Sequence, residues 1–183
     1  GSQYFRVAKY NEYPVVNVTW DAANDYCKWR GGRLPTEAEW EKAARGAADA
    51  RLYPWGNTLV ESKANFCDTN CSNSWANRAF NDGYDYTAPV GEFSSGASLY
   101  GAEDMAGNVS EWVADIYGPY PGGEANIDSE KFGKERVRRG GSWYSLGSDV
   151  RVSRRDKNLP SPHSEDPNAE LGKIGFRCVL DIP

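Results

Sequence analysis

Two stretches of the chain collect oxygen donors at close spacing. The first joins Asn65 to the run Asn81-Asp82-Gly83-Tyr84-Asp85. The second is Asp104-Met105-Ala106-Gly107-Asn108-Val109-Ser110-Glu111. Carboxylates and amides interleaved with carbonyl-exposing glycine suit a hard cation such as calcium, which takes roughly six to eight oxygens. Neither stretch is an EF-hand, and each also reads as an Asx-turn or capping loop. Cys67-x3-Cys71 has the look of half a zinc site. No second cysteine pair and no useful histidine supports that, so a local disulfide is the better reading. The single histidine, His163, lies in the turn-rich run Pro160-Ser161-Pro162-His163-Ser164. It reads as exposed rather than catalytic, and one histidine cannot build a multi-histidine metal centre. Gly140-Gly141-Ser142-Trp143 does not match a nucleophile elbow. Three Asn-x-Ser/Thr tripeptides, at Asn17, Asn70 and Asn108, match the glycan acceptor pattern and carry no functional weight on their own.

A net charge of -5 argues against nucleic acid as a partner, because such proteins carry a basic field. A local basic cluster exists at Arg136, Arg138, Arg139, Arg151, Arg154, Arg155 and Lys157. It reads first as strand edges and buried arginine–carboxylate pairs, and second as a site for an acidic ligand. Mean hydropathy is -0.72. No apolar run approaches the ~20 residues of a membrane helix, so no membrane insertion is expected. Seven Trp and eleven Tyr among nineteen Gly and ten Pro suggest a loop-rich fold that needs covalent or metal pins. The four cysteines, Cys27, Cys67, Cys71 and Cys178, suit two bridges and an extracytoplasmic or cell-surface location, with three pairings open.

The elements that must position these residues are short. Tyr13–Val18 reads as a strand. Thr19 caps a helix from Trp20 to Arg30, with Ala23, Tyr26 and Cys27 at helical spacing and Gly31-Gly32 as its stop. Thr36-Glu37-Ala38-Glu39 is a capping box opening a second helix that buries Trp40, Ala43 and Ala44 and ends at Gly46. Beyond Gly46 only strand-like pieces appear: 88–90, 109–113, 136–143, 150–154 and 176–180. Residues 115–135 and 156–174 read as exposed loops. The chain is therefore α+β, with two early helices, short antiparallel strands and long loops. Residues 3–183 form one domain, and Gly1-Ser2 is set aside as a cloning remnant.

Seven motifs in order extend this reading. They are Pro14-Val15-Val16-Asn17-Val18-Thr19-Trp20, Gly32-Arg33-Leu34-Pro35-Thr36-Glu37, Tyr53-Pro54-Trp55-Gly56, Ala88-Pro89-Val90-Gly91, the Asp104–Trp112 run, Arg139-Gly140-Gly141-Ser142-Trp143 and Gly175-Phe176-Arg177-Cys178. Together they cover nearly the whole chain and resemble the formylglycine-generating (sulfatase-modifying factor) family. The resemblance implies that family's irregular α+β fold, related to C-type lectins. It implies two structural calcium sites. One is formed by Asn65, the Phe66 carbonyl, Asp82 and the Tyr84 carbonyl. The other is formed by Asp104, the Gly107 and Val109 carbonyls and Glu111. It also implies a Cys27–Cys178 bridge.

The chain departs from the family in two ways. The family's Gly-Gly-x-Phe-x-Met-Gly segment is absent. The two copper-binding cysteines of active members correspond to Ser145 and Val150, which are not soft ligands. No copper and no oxidase activity are therefore expected. The expectation is a non-catalytic module that binds an unidentified protein or small-molecule ligand. Its surface would comprise Trp143, Tyr144, Ser145, Leu146, Gly147, Ser148 and Asp149 with Arg151, Arg154, Arg155 and Asn158, a mixture favoured in adaptable binding faces. Some members of this superfamily carry retroelement-diversified sites in this region, and the segment is compatible with that. The alternatives are the substrate-binding part of a sulfoxide-synthase-like or formylglycine-generating oxidase, and a sensor or adaptor domain of a signalling protein.

Overall fold

Thr36 opens a helix with two reciprocal hydrogen bonds. Its hydroxyl accepts from the Glu39 N–H at 3.2 Å, and the Glu39 carboxylate accepts from the Thr36 N–H at 2.8 Å. This is the predicted capping box, and it starts helix α2, Glu37–Arg45. Helix α1, Trp20–Trp29, begins at the predicted cap, where the Thr19 hydroxyl accepts from the Ala22 N–H. The computed structural model describes residues 7–46, 50–120, 134–161 and 171–181. His163 and the centres of both predicted long loops lie outside them.

Four strands form the sheet: β1 Ser110–Ile116, β2 Arg136–Arg139, β3 Arg155–Asn158 and β4 Ile174–Phe176, in the order β3-β2-β1-β4. β2 runs antiparallel to β1 and β3, but β4 runs parallel to β1, so the sheet is mixed rather than antiparallel. Its faces bury different helices. Val113 and Val137 meet Trp40 and Ala44 of α2, with Met105 and Val152. Trp112 and Ile174 meet Ala23 and Cys27 of α1. Ring nitrogens add long-range ties: the Trp20 indole donates to the Val113 carbonyl and the Trp112 indole to the Val18 carbonyl.

Three predicted strands are corrected. Tyr13–Val18 is irregular, because Asn17 adopts a left-handed φ of 62°. Residues 88–90 form no strand, since Pro89 removes a ladder donor. Residues 150–154 are turns and bends, and the strand starts just after them at Arg155 and runs to Asn158, into the segment from 156 that was predicted to be loop. β2 stops at Arg139 because Gly140 and Gly141 turn the chain with φ of 90° and 69°. The predicted last strand starts two residues early, at Ile174, and past Phe176 only Val179 pairs, with Arg33.

Both disulfides form. Cys27–Cys178 ties α1 to the chain after β4, and Cys67–Cys71 closes a local loop. Among the described residues no helix is long and apolar enough to cross a membrane.

Candidate functional site

The Gly-Gly turn after β2 delivers residues 142–150 to one end of the sheet. A Cβ added to Gly141 would lie 2.9 Å from Val150 Cγ1 and 3.3 Å from Ser145 Oγ. The two positions that the family resemblance pairs with copper-binding cysteines therefore flank one point. Their chemistry is not that of a metal pair. The Ser145 hydroxyl accepts from the Ser142 N–H at 3.0 Å. Val150 is fully buried against Tyr53, Ala64, Phe66 and Ala106. An alkyl group in an apolar cluster and a neutral hydroxyl do not fit a Cu(I) ion, which selects thiolates and thioethers.

Ser145 also lines a pocket of about 230 Å³. Tyr144, Leu146, Asp149 and Arg154 join it there, as the sequence led us to expect. Trp75, Ser110, Arg138 and Asp156 complete it. None of the four was expected on this face, although Arg138 belongs to the basic cluster read secondly as a site for an acidic ligand and Ser110 to the second oxygen-donor stretch. The strand register explains three of them. Side chains alternate along a strand, so Ser110, Arg138 and Asp156 share the face that carries Trp112, beyond the part covered by α1. Arg138 and Asp156 are cross-strand partners. Trp75 arrives through the small disulfide loop. Its ring meets Tyr144 edge to face at 5.6 Å, while Asn73 accepts from the Tyr144 hydroxyl at 2.8 Å. Trp143 continues the aromatic row, edge to face with Tyr144 at 5.3 Å and with Tyr86 at 5.0 Å.

Several expected surface residues go elsewhere. Arg155 faces the opposite side of the sheet, where it grips Glu37 with two hydrogen bonds of 2.6 and 2.7 Å. Glu37 also accepts from Arg139, whose other nitrogen reaches Glu41 at 2.6 Å. The basic cluster is thus partly a buried ion network under α2. Arg151 donates to the Ser148 carbonyl, and the Asn158 side chain accepts from the Leu159 N–H; neither these two nor Ser148 lines the pocket.

Hydrogen bonds hold the members of the first oxygen cluster individually. Asn65 is buried, its amide donating to the Tyr86 carbonyl. One Asp82 oxygen accepts from the Tyr84 N–H; the other is buried without a hydrogen-bond partner. Burial pushes the Asp82 carboxyl up to about 7, and the neighbouring Asp68 adds to the rise. Asp68, absent from the predicted ligands, accepts from the Asp82 N–H at 2.5 Å and the Asn70 N–H at 2.8 Å. An orphaned carboxylate oxygen beside a second carboxylate is a setting that a cation satisfies.

The second cluster is organised differently. Asp104 and Asn108 take left-handed φ of 54° and 60°. A Cβ on Gly107 would come within 2.1 Å of the Asn65 carbonyl oxygen, so only glycine fits there. Asn108 is buried and exchanges two hydrogen bonds with the Ala88 backbone, which removes it as a glycan acceptor. Burial raises the Asp104 carboxyl above its ordinary range. Glu111, however, already accepts from the Trp40 indole and twice from Arg177, each at 2.6 Å. A cation at this cluster must share Glu111 with Arg177.

A family model described as a sulfatase-modifying factor enzyme 1-like domain matches residues 2–182. The chain belongs to that family. The formylglycine-generating enzyme of Thermomonospora curvata is 37% identical over 178 residues, covering 92% of this chain and 56% of that protein. The mouse inactive C-alpha-formylglycine-generating enzyme 2 is 38% identical over 178 residues, covering 92% of this chain and 49% of that one. Among solved structures, PvdO from Pseudomonas aeruginosa aligns with a TM-score of 0.66 at 29% identity, over 90% of this chain and 60% of its own. The chain spans about half the length of the formylglycine-generating enzymes and inactive relatives it matches, and a quarter of the matching Chlamydia proteins named serine/threonine-protein kinase Pkn1. The family thus holds proteins named as enzymes and proteins named as inactive, and the residues at 145 and 150 bear on which kind this chain is.

Proposed function

We propose that this domain is a non-catalytic binding module, calcium-stabilised, with its ligand face at the pocket around Ser145. The observation that carries the reading is the pair Ser145 and Val150. A hydroxyl engaged by a backbone N–H and a buried alkyl group stand where copper-binding thiolates would be needed. A pocket and an aromatic row surround that position, so the frame offers a recognition surface without redox ligands. A relative named as inactive, at 38% identity, agrees with this reading. Two disulfides favour an oxidising, extracytoplasmic setting. The test is incubation of the purified domain with Cu(I), O2 and a cysteine-containing peptide. The peptide cysteine is expected to stay unconverted by mass spectrometry; turnover to formylglycine would overturn the reading.

Calcium belongs to the same proposal. Asn65, Asp82 and the Phe66 and Tyr84 carbonyls would hold the first ion, with Asp68 fixing the Asp82 backbone. Asp104, Glu111 and the Gly107 and Val109 carbonyls would hold a second if Arg177 yields. Calcium at ~100 times its dissociation constant adds about 2.7 kcal/mol per site when only the folded state binds. For a domain of this size that raises the melting temperature by roughly 5–10 °C. Differential scanning calorimetry with chelator and with calcium reads the shift, and Asp82→Asn should abolish the first site's share. Identical melting in both buffers would remove both ions from the account.

A further inference from the structure

The pocket's size limits what it can hold. Its volume of about 230 Å³ falls below the roughly 300–1,000 Å³ of a whole small-molecule site. It has room for one side chain of a larger partner. Its charges select which one. Arg154 lines the pocket, its Nη2 3.3 Å from Asp156 and its Nε 3.9 Å from Asp149, with the side chain 48% exposed. Both contacts are long for ion pairs, whereas the neighbouring Arg155 is clamped at 2.6 Å. An exposed pair of that kind contributes only about 0–1 kcal/mol, so Arg154 is displaced cheaply. Once it swings out, the lining holds two carboxylates, Asp149 and Asp156, against one buried cation, Arg138. Trp75 and Tyr144 supply an aromatic wall suited to a cation. Tyr144 already takes one on its ring, the Lys173 ammonium, at 3.3 Å from the centroid.

We propose that the pocket admits one cationic side chain, arginine or lysine, of a polypeptide partner, and that Arg154 holds its place as an internal surrogate. The inference rests on the binding-module reading and names the chemistry of that face. It explains why two carboxylates and an aromatic wall surround a loosely held guanidinium.

Amide and indole NMR titrations test it with capped Gly-Arg-Gly and Gly-Lys-Gly, the neutral Gly-citrulline-Gly, the anionic Gly-Glu-Gly, and agmatine as a small free cation. The cationic tripeptides are expected to shift the Trp75 indole and the Ser110 and Leu146 amides, at least fivefold more tightly than the citrulline peptide. Arg154→Ala should tighten this binding two- to fivefold by removing the competitor. Asp149→Asn and Asp156→Asn should each weaken it at least fivefold, with undisturbed spectra elsewhere certifying the fold. Equal binding of the citrulline or glutamate peptide would overturn the cation assignment and leave the pocket as the ligand face. Binding of agmatine without the tripeptides would overturn the polypeptide partner. No shift at these residues with any probe would remove the pocket reading itself.

Discussion

Replacing Cys27 and Cys178 together by alanine is expected to cost about 5 kcal/mol of folding stability and lower the melting temperature by roughly 10–20 °C. The bridge joins residues 151 apart in sequence. In the chain-entropy account, closing so long a loop restricts the unfolded ensemble far more than closing a short one. Cys27 is fully buried beside Ala23, Leu34, Trp112 and Ile174. Alanine is therefore the right replacement, since serine would bury an extra hydroxyl. The control is the Cys67–Cys71 pair, only four residues apart. The same relation gives about 2 kcal/mol for its removal. Urea unfolding of the two double variants reads the difference, and equal losses would mean that loop length is not what the long bridge supplies.

Arg139→Ala should cost about 3–5 kcal/mol, the range for breaking a buried ion pair from one side. Its side chain is fully buried and hydrogen-bonds Glu37, Glu41 and the Val152 carbonyl. It also lies 5.3 Å from the centre of the Trp40 ring. Removal leaves Glu37, itself only 6% exposed, with Arg155 alone. A cycle with Glu37→Ala separates pairing from packing. The two changes together should cost about 2 kcal/mol less than the sum of each alone. Strict additivity would show that the arginine stem, not the ion network, holds α2 to the sheet.

The legible parts of this chain are those written in local chemistry. The capping box at Thr36, the cap at Thr19 and the glycine stops of both helices needed only neighbouring residues, and all appear as read. The Asp104–Glu111 run was legible only as a turn or capping loop rich in oxygen donors, and the positive φ of Asp104, Gly107 and Asn108 appears with the fold. Strand boundaries were not. Residues 150–154 read Val-Arg-Val-Ser-Arg, an alternating pattern, yet Val150 and Val152 are buried by tertiary packing in turns. Arg155 illustrates the limit at the site. Sequence proximity put it on the ligand face, but strand alternation turned it to Glu37, 118 residues away. Trp75 had no sequence signal beyond its closeness to Cys71, since its place depends on where the disulfide loop docks. Asp68 lay between two cysteines and became visible as a partner of Asp82 only once residues 65–82 were folded together.

The account turns on whether positions 145 and 150 can hold a redox metal, and a Cu(I) competition titration against a coloured chelator addresses that directly. The wild-type domain should leave the metal with the chelator, while a Ser145→Cys/Val150→Cys variant, with two thiols flanking Gly141, should withdraw about one equivalent. Stoichiometric capture of Cu(I) by the wild-type domain, as tight as by the double-cysteine variant, would contradict it.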